Sequence, residues 1–380
     1  MGAATVSRYG LDFPTSYRWG VVTLGHTRMR NNPGTQAWSH LDPGISTQWI
    51  GPTGGELNVA INFADSAGIP STHLTALVNG DPLDGLVRRG FGAMRVDTRF
   101  ADVVPYAPRG PVYGIVFSPL GFGEDSPEVT YHLAGEAAAL LKPGAFDYDA
   151  VFQGGAVYAH SGGIFSTVSQ DAPDLVIEFF REAGKRGAIR SFDLNYRERL
   201  WAHIGGKARA QEVCQEIAAN VEILEGNKSD LRNALNINAP ATDSASKGKK
   251  DPMDPAPHMA MIEATVKQFP NIRVVLTNLR HEVDASHQLW SVLAWINGKF
   301  YHAPVKELFV LDRVGGGDAT TSYCLRAMLL GKSEQDAVDH AWAAGALCTA
   351  TAGDTLKVGP DKIEAKARAG RSGAAAEIVR

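Results

Sequence analysis

Three consecutive glycines followed by an aspartate, Gly315, Gly316, Gly317 and Asp318, are the residues of this 380-residue sequence best suited to chemistry. They lie between a short apolar segment at 309–311, predicted as a strand, and a longer apolar segment predicted as a helix. Glycines let backbone amides approach a ligand closely, and unpaired amides at a helix N-terminus favour an anion. A carboxylate beside such an anion hole can accept a proton while the amides stabilise negative charge, as phosphoryl transfer to a hydroxyl requires.

The same residues have a structural alternative, in which Asp318 caps the helix and the glycines form a flexible turn. The spacing Asp312-x-x-Gly315-x-Gly317-Asp318 favours the catalytic interpretation, because it resembles the DxxGxGD signature of the ribokinase-like (PfkB) carbohydrate kinases. The resemblance implies that Asp318 is the catalytic base and that the three glycines form the anion hole. It also implies that the protein uses ATP and Mg²⁺.

A second glycine-rich segment, Gly54-Gly55-Glu-Leu-Asn58, leads into a helix that is predicted at 57–67 from apolar residues at helical spacing. Asparagine in the first turn of a helix offers a donor and an acceptor to the hydroxyls of a polyol. The alternative is that Asn58 is simply exposed to solvent and binds no ligand. The letters GGELNVA resemble the GGxxxNvA sugar-binding segment of the same family. The resemblance implies that Gly54, Gly55 and Asn58 bind the sugar, with Tyr131 as a further contact.

Polar residues that directly follow predicted strands carry most weight, because ligands bind beyond the carboxyl ends of parallel strands. One such cluster is FDLNYRERLW at 192–201. Arg197 could grip a carboxylate or a phosphate through its planar fork, or lie in a surface loop. The cluster closely resembles the DxNxRxxLW segment of 2-keto-3-deoxygluconate kinases, a branch of the same family. The resemblance implies that Arg197 contacts the substrate and that Asn195 and Arg197 contact ATP.

A second polar cluster, Asn227-Lys-Ser-Asp230, follows the strand predicted at 221–224. It resembles the NxxE motif of the family with Asp in place of Glu, which implies an ATP contact by Asn227 and a Mg²⁺ contact by Asp230. Mg²⁺ prefers oxygen ligands and keeps several waters, so the shorter carboxylate could act through water. The alternative is that Asp230 is a helix N-cap.

Three further positions bear on ATP and substrate. After the strand predicted at 272–277 the family has Lys and Gly, whereas this chain has Thr277-Asn-Leu-Arg280. Thr277 and Arg280 are the expected ATP contacts, and the effect of the intervening Asn278 is left open. Asp354 resembles a substrate-contacting acid of the family, although by itself it would pass as a loop residue.

One departure concerns the sugar. Relatives carry an arginine close after the position of Tyr131, where it contacts a carboxylate, whereas this chain has Leu133. The loss of an arginine removes a charge-assisted pair. A related or a neutral sugar is therefore an open alternative to a sugar acid.

The elements that position these residues follow from the apolar pattern. Strands and helices alternate from residue 136 onward, which predicts a doubly wound, mostly parallel α/β sheet of the ribokinase-like kind. Strands are predicted at 17–25, 72–78, 156–160, 188–193, 221–224, 272–277 and 309–311. Helices are predicted at 57–67, 81–94, 137–141, 172–185, 207–219, 231–235, 259–269 and 333–352, and a hairpin at 289–301.

The whole chain, 1–380, is predicted to form one α/β domain with a small β-sheet lid. Residues 96–133 alternate in polarity and are rich in Gly and Pro, which favours an antiparallel sheet excursion. The resemblance implies that this segment and 26–50 form the lid over the sugar. Residues 236–257 lack apolar periodicity and are rich in Ala, Pro, Ser, Asp and Lys, which predicts a disordered surface insertion.

Composition limits the classes of partner. A net charge of −4 and a pI near 6.3 argue against nucleic acid and against an anionic membrane, and no apolar run is long enough to span a bilayer. Cys214, Cys324 and Cys348 are far apart, which favours core thiols in a reducing cytoplasm over a disulfide or zinc site. The resemblance implies a homo-oligomer.

The motifs occur in the order expected for the family and together favour a kinase of a primary hydroxyl. The expected reaction converts a sugar acid, 2-keto-3-deoxygluconate, to its 6-phosphate. The alternatives are a kinase of another sugar, neutral sugars included, and a catalytically silent sugar-binding homologue. A P-loop kinase is disfavoured because no Walker A sequence occurs, and an oxidoreductase because no GxGxxG follows an early strand.

Overall fold

The computed structural model describes residues 4–34, 48–238 and 251–372, and these residues form seventeen strands and eleven α-helices. The strands are β1 (Thr5–Arg8), β2 (Leu11–Pro14), β3 (Trp19–Leu24), β4 (Arg28–Asn32), β5 (Trp49–Thr53), β6 (Ser71–Leu74), β7 (Ala76–Asn79), β8 (Asp102–Pro105), β9 (Ile115–Phe117), β10 (Thr130–His132), β11 (Ala156–Gly162), β12 (Ile189–Asp193), β13 (Ile223–Glu225), β14 (Val274–Glu282), β15 (His287–Ile296), β16 (Lys299–His302) and β17 (Lys306–Phe309). The helices are α1 (Gly55–Ile61), α2 (Asp84–Ala93), α3 (Tyr148–Phe152), α4 (Ala172–Lys185), α5 (Glu198–Trp201), α6 (Gly206–Ala218), α7 (Lys228–Leu235), α8 (Ala256–Gln268), α9 (Gly316–Leu329), α10 (Glu334–Thr349) and α11 (Pro360–Ser372).

A nine-stranded sheet lies at the centre of the described residues. Its order is β16-β15-β14-β13-β12-β11-β3-β6, and β17 also pairs with β15. The strands from β14 to β6 in this order are parallel, and β15, β16 and β17 extend the sheet through antiparallel pairs. The prediction of a mostly parallel α/β sheet is therefore confirmed.

Helices cover both faces of this sheet, and two adjacent inner strands are buried along their whole length as a result. Every residue of β3 and of β11 is buried. Val21 belongs to the apolar core shared with α9, α10 and α11, whereas Val22 belongs to the core shared with α4, α6, α7 and α8. The three cysteines are free and buried, as predicted.

The direction of the strand order reverses between β3 and β11. From β3 the chain crosses to β6 on one side, and it later returns to β11 on the other side and continues outward to β14. A crevice opens beyond the carboxyl ends of the strands at such a reversal, and ligands of doubly wound sheets bind there. The loops after β3, β11, β12 and β13 therefore surround the candidate site.

A separate four-stranded sheet, β10-β9-β4-β5, is called the small sheet below. Its strands β4 and β5 pair antiparallel, as do β9 and β10, and β4 joins β9 in parallel. The segments predicted for the lid, 26–50 and 96–133, supply these strands in part. The described residues of 102–105 do not belong to the small sheet, because β8 pairs with β7. Residues 35–47 lie outside the described residues.

Several element boundaries differ from the predictions. The strand predicted at 309–311 is wrong, because β17 ends at Phe309, whose side chain is 76% exposed. It lies at an outer edge of the sheet, where alternate side chains face solvent. The strand predicted at 72–78 is divided between β6 and β7, in different sheets, and the helix predicted at 137–141 is a short 3₁₀ turn, Ala137–Leu140.

The predicted insertion at 236–257 is only partly described. Residues 239–250 lie outside the described residues, and the prediction stands untested there. Met253 is buried and α8 begins at Ala256, directly after Pro255, so the insertion is shorter than expected. Proline favours a helix start because its backbone is preset for the first turn. No helix among the described residues is long and apolar enough to cross a membrane.

Candidate active site

A cleft of about 880 Å³ opens at the carboxyl ends of the parallel strands, between the central sheet and the small sheet. Most of the residues singled out from the sequence line it. These are Gly54, Gly55, Asn58, Tyr131, Asn195, Arg197, Asn227, Asp230, Arg280, Gly315, Gly316, Gly317 and Asp318. Two do not line the cleft, Thr277 and Asp354.

The triple glycine forms the start of α9. Gly315 has a φ of 80°, in the left-handed region, and a Cβ atom there would lie 1.8 Å from the carbonyl oxygen of Asp354. Gly316 and Gly317 are the first residues of the helix. The amides of a first helical turn have no partner within the helix and carry partial positive charge. The site at this end of α9 is therefore suited to an anion.

Asp318 lies in the first turn of α9 and is half-buried. Its Oδ2 atom accepts a hydrogen bond of 2.7 Å from Nδ2 of Asn58, and its Oδ1 atom lies 3.6 Å from the position of a Cβ on Gly55. The helix N-cap is Gly315, without a capping side chain. The alternative in which Asp318 caps the helix is therefore wrong, and its carboxylate faces Gly55 and Asn58 instead.

The environment of Asp318 raises the pKa of its carboxyl to about 8. Burial is the largest cause, and the nearby carboxylates of Asp193 and Asp354 add to it, whereas the hydrogen bond from Asn58 lowers the pKa. A carboxylate whose pKa lies near neutrality is a stronger base than an exposed one. The Oδ1 atom of Asn58 is buried without a partner and can accept from a ligand hydroxyl.

Two more carboxyl groups end neighbouring strands beside Asp318. Asp193 ends β12 and Glu225 ends β13, and the two residues pair across the strands. Burial, followed by the charge of Asp230, raises the pKa of Asp193 to about 7. Burial, followed by Asp193, raises the pKa of Glu225 well above its usual value. One oxygen of Glu225 accepts from the Thr321 hydroxyl, and the other is buried without a partner.

A fourth carboxyl group, Glu56, lies in the first turn of α1 and is 2% exposed. Its oxygens pack where Cβ atoms on Gly25 and Gly162 would be, at the ends of β3 and β11. Nδ1 of His26 lies 3.7 Å from Oε2 of Glu56, but burial holds the pKa of His26 well below its usual value, so this ring is neutral and does not compensate a charge on Glu56. Burial raises the pKa of Glu56 to about 8.

This concentration of carboxylates fits a divalent cation. Among the described residues no group of three His, Cys, Asp or Glu side chains is placed to hold a metal ion by itself. Mg²⁺ in kinases is generally held by one or two carboxylates together with waters and substrate phosphates. Both oxygens of Asp230 accept backbone amides, from Asn227 at 2.9 Å and Tyr196 at 3.1 Å. The N-cap is Asn227, so Asp230 is not the cap but closes a capping box.

Sequence reasoning missed Glu225 and two arginines of β4 that line the cleft, Arg28 and Arg30. Arg28 forms a bidentate pair with Glu136 at 2.7 and 2.8 Å. Glu225 was recognisable as the residue directly after the strand predicted at 221–224. Arg28 and Arg30 are two residues apart, which is the spacing of side chains on one face of a strand, and this spacing could have indicated β4.

The family follows from comparison with known proteins. Residues 41–359, most of the chain, match the family described as pfkB family carbohydrate kinase. The chain belongs to this family. It is therefore a phosphotransferase that acts on carbohydrate hydroxyls, as predicted.

Three members or relatives of the PfkB kinases illustrate the similarity. The chain is 26% identical over 355 residues to a 2-dehydro-3-deoxygalactonokinase from Haloferax volcanii, covering 93% of this chain and 98% of that protein. The solved structure of a 2-dehydro-3-deoxygluconokinase from Thermotoga maritima is 26% identical with a TM-score of 0.81, covering 92% of this chain and 100% of that one. A protein from E. coli described as a ribokinase II, solved with ATP and Mg²⁺, shares the fold at 17% identity and a TM-score of 0.70, covering 92% and 99%.

Within this PfkB kinase the side chains of β14 alternate, which corrects one expected ATP contact. The hydroxyl of Thr277 donates to the carbonyl of Gly226 at 2.8 Å and lies outside the cleft. The next residue, Asn278, faces the cleft with Nδ2 at 3.7 Å from the position of a Cβ on Gly317, and Arg280 faces it too. Successive residues of a strand point to opposite faces, so Thr277 and Asn278 cannot both face the cleft.

Asp354 is close to the site but its side chain is engaged elsewhere. One oxygen accepts from Arg30 and the other from the hydroxyl of Thr53. It is 8% exposed and does not line the cleft, which corrects its expected role as a direct substrate contact. Leu133 also lies outside the cleft, whereas Tyr131 lines it. Arg197 forms no ion pair with the residues that the structure describes, and it lines the cleft.

Proposed function

We propose that this PfkB kinase transfers the γ-phosphoryl group of ATP to a primary hydroxyl of a sugar acid. The substrate proposed is 2-keto-3-deoxygluconate, also called 2-dehydro-3-deoxygluconate, and the product is its 6-phosphate. The observation that carries the proposal is the position of the Asp318 carboxylate, beside the amides that begin α9 and hydrogen-bonded to Asn58. The names of the Haloferax volcanii and Thermotoga maritima relatives support the substrate class.

In this mechanism Asp318 accepts the proton of the sugar hydroxyl as its oxygen attacks the γ-phosphorus. The bond from that phosphorus to the bridging oxygen breaks, and ADP leaves. The amides of Gly315, Gly316 and Gly317 donate to the oxygens of the transferred group and stabilise its charge. Asp318 and the amides belong to the same start of α9, so the distance between the base and the anion hole is fixed by the helix backbone.

The sugar end of the cleft is formed by Gly54, Gly55, Asn58 and Tyr131. The free Oδ1 of Asn58 accepts a sugar hydroxyl while its Nδ2 holds Asp318, so one side chain orients acceptor and base together. Arg197 is proposed to meet the carboxylate of the sugar acid or a phosphate of ATP. Its guanidinium has a geometry that suits either anion.

The nucleotide end is formed by Asn195, Asn227, Asn278 and Arg280. Asp193, Glu225 and, through water, Asp230 are the residues that would hold Mg²⁺. When bound, Mg²⁺ neutralises charge on the phosphate oxygens. Burial of these carboxyls raises the pKa of Asp193 to about 7, so the site favours a cation that compensates their charge.

The small sheet is proposed to act as a lid that excludes water during transfer. Its strands carry Arg28, Arg30 and Tyr131 into the cleft. We further propose a cytoplasmic location and a homo-oligomer. Trp49 and Ile50 of β5, at the edge of the small sheet, are 50% and 42% exposed, which supports pairing between lids.

A neutral sugar is the second candidate substrate, because most cations of the cleft are already paired. Arg28 is neutralised by Glu136, and Arg30 by Asp312 and Asp354. Leu133, which replaces an arginine of relatives, lies outside the cleft. Arg197 is the arginine proposed to meet the substrate carboxylate, so a neutral ketose would lose a single charge-assisted contact.

The test is a panel of 2-keto-3-deoxy sugar acids and neutral ketoses, with ATP, Mg²⁺ and the purified full chain, read by ADP release. We expect turnover of 2-keto-3-deoxygluconate, reduced at least about 100-fold in Asp318→Asn, because a positioned general base contributes about that much. A wild-type preference for neutral ketoses would select the second candidate. Near-wild-type turnover by a folded Asp318→Asn protein would contradict the mechanism.

A further inference from the structure

A buried ion network joins the small sheet to the anion hole. Arg30 of β4 donates two hydrogen bonds to Asp312, from Nη1 at 2.7 Å and from Nη2 at 2.9 Å, and a third from Nη1 to Asp354. Arg30 is 6% exposed, Asp312 is 1% exposed and Asp354 is 8% exposed. Solvent therefore screens these charges poorly. The network ties β4 directly to Asp312 and Asp354.

On the side of the central sheet, the two aspartates hold the loop at 312–317 from both ends. Asp312 accepts the amide of Val314 at 3.1 Å and the amide of Gly353 at 3.0 Å. The carbonyl of Asp354 lies against the backbone of Gly315, where no Cβ fits. A shift of either aspartate would therefore displace Gly315 and the amides that follow it.

On the other side, three segments of the small sheet converge on the same network. Arg30 lies on β4, and Ser118, directly after β9, accepts from Nη2 of Arg30 through its carbonyl at 3.3 Å and its hydroxyl at 3.2 Å. The hydroxyl of Thr53, at the end of β5, donates to Asp354. The loop that carries the anion hole is thus tied to three of the four strands that cover the cleft.

Charge explains why an arginine is needed here. The buried carboxylates of Asp312 and Asp354 both contact Arg30, and without a cation between them they would repel each other. Removal of Arg30 would therefore leave two buried charges uncompensated. Burial lowers the pKa of Arg30, but the facing Asp354 and Asp312 raise it more, and the net pKa lies above its usual value. Arg30 is therefore charged throughout the working pH range. Its planar fork contacts both oxygens of Asp312 at once, which a lysine cannot do.

We propose that Arg30 is a positioning residue, which holds the anion-hole loop in place from the small sheet so that its amides meet the transferred phosphoryl group when the cleft is covered. The inference rests on the proposed function for its kinetic effect, but the structural link stands apart from the sugar. Arg30 acts through Asp312 and Asp354 and is not a catalytic residue. Its loss should lower kcat more than it raises KM, because misplaced amides weaken stabilisation of the transition state.

The test compares Arg30→Ala and Arg30→Lys with Arg190→Ala. Arg190 of β12 pairs with Glu222, directly before β13, and neither lines the cleft, so the Arg190 variant controls for the loss of an ion pair. We expect Arg30→Ala to lower kcat about 100-fold with both KM values within about threefold, and Arg30→Lys to recover part of the loss. Arg190→Ala should keep the wild-type kcat.

Two measurements separate positioning from folding. Millimolar guanidinium, but not equal sodium chloride, should restore part of the kcat of Arg30→Ala by refilling the cation position. Hydrogen exchange should rise at 312–317 in Arg30→Ala and not in Arg190→Ala. If Arg30→Ala does not fold, Arg30→Met with Asp354→Asn removes one unpaired carboxylate and carries the same tests.

The outcomes distinguish this inference from the proposed function. Unchanged exchange at 312–317 and an unchanged kcat in folded Arg30→Ala would overturn the inference. An equal loss of kcat in Arg190→Ala would overturn it as well. Absence of sugar phosphorylation by the wild type would refute the proposed function, while raised exchange at 312–317 in Arg30→Ala would still support the structural link.

Discussion

Nδ2 of Asn58 donates a hydrogen bond of 2.7 Å to Oδ2 of Asp318, across 260 residues of sequence. This bond joins α1 to the first turn of α9, whose leading amides are proposed to bind the transferred phosphoryl group. The bond favours the charged form of Asp318, whereas burial opposes it. The balance between these two effects sets the pH at which the base becomes available.

The first prediction concerns the pH dependence of catalysis. Burial raises the pKa of Asp318 to about 8, and the base must be deprotonated to accept a proton, so kcat/KM of the wild type should rise with pH through about 8. Asn58→Leu removes the hydrogen bond that lowers this pKa, so the rise should move to higher pH. Rates measured from pH 6 to 10 in constant ionic strength check both. An unshifted profile in the variant would contradict the role of Asn58.

The second prediction compares two neighbouring glycines. Gly315→Ala places a Cβ within 1.8 Å of the carbonyl of Asp354 at a φ of 80°, so it should lower the free energy of unfolding by more than about 1 kcal/mol. Gly317→Ala meets only Asn278, at 3.7 Å, and should leave the free energy of unfolding unchanged or slightly raised. Urea unfolding of the three proteins makes the comparison. Equal destabilisation by both substitutions would refute the explanation.

The third prediction concerns stability and pH. Burial raises the pKa of Glu56 from 4.5 in the unfolded chain to about 8, so the folded state binds more protons between these values. Its contribution to stability is complete below pH 4.5 and is lost as pH rises toward 8. Glu56→Gln cannot ionise, so its stability relative to the wild type should improve by roughly 3 kcal/mol from pH 5.5 to pH 8.5. Urea unfolding at the two pH values tests this, and parallel pH slopes would count against it.

The fourth prediction concerns the metal. Glu225 ends β13 beside Asp193, and one of its oxygens is buried without a partner. Glu225→Gln should raise the Mg²⁺ concentration for half-maximal activity about tenfold, because it removes a charge near the metal. Titration of Mg²⁺ at fixed ATP measures this, with Glu222→Gln, on the same part of the chain but outside the cleft, as control. A Mg²⁺ response like that of the wild type would exclude Glu225 from the metal site.

The fold and the centre of the site were predictable because their signals are local. Apolar strands alternate with amphipathic helices, and the triple glycine precedes a helix whose first turn holds Asp318. The neighbourhood of Asn58 and Asp318 followed from the family pattern. The strands, the helices and the glycine turn depend on residues that are adjacent or at fixed spacing, so local sequence is enough to predict them. The contact between Asn58 and Asp318 spans 260 residues and needed the family pattern.

What the sequence did not reveal depends on long-range pairing. Arg30 lies in a polar segment without apolar periodicity, and only the fold brings it to Asp312 and Asp354. Thr277 and Asn278 differ in function because of strand parity, which is fixed by the register of β14 in the sheet. Local sequence cannot predict the pairing of Arg30 or the orientation of Thr277 and Asn278, because both depend on contacts with residues that are distant in sequence.

The distance in sequence between Arg30 and Asp354, 324 residues, has a consequence for biosynthesis. The first strand of the small sheet leaves the ribosome long before its aspartate partners are translated. Until then the guanidinium of Arg30 has no carboxylate partner and must stay hydrated, because burial of an unpaired charge is costly. The small sheet therefore cannot pack against the central sheet at that stage. We therefore expect nascent chains that stop before Asp354 to be open to proteases around β4, and protection to appear only when the last helices emerge.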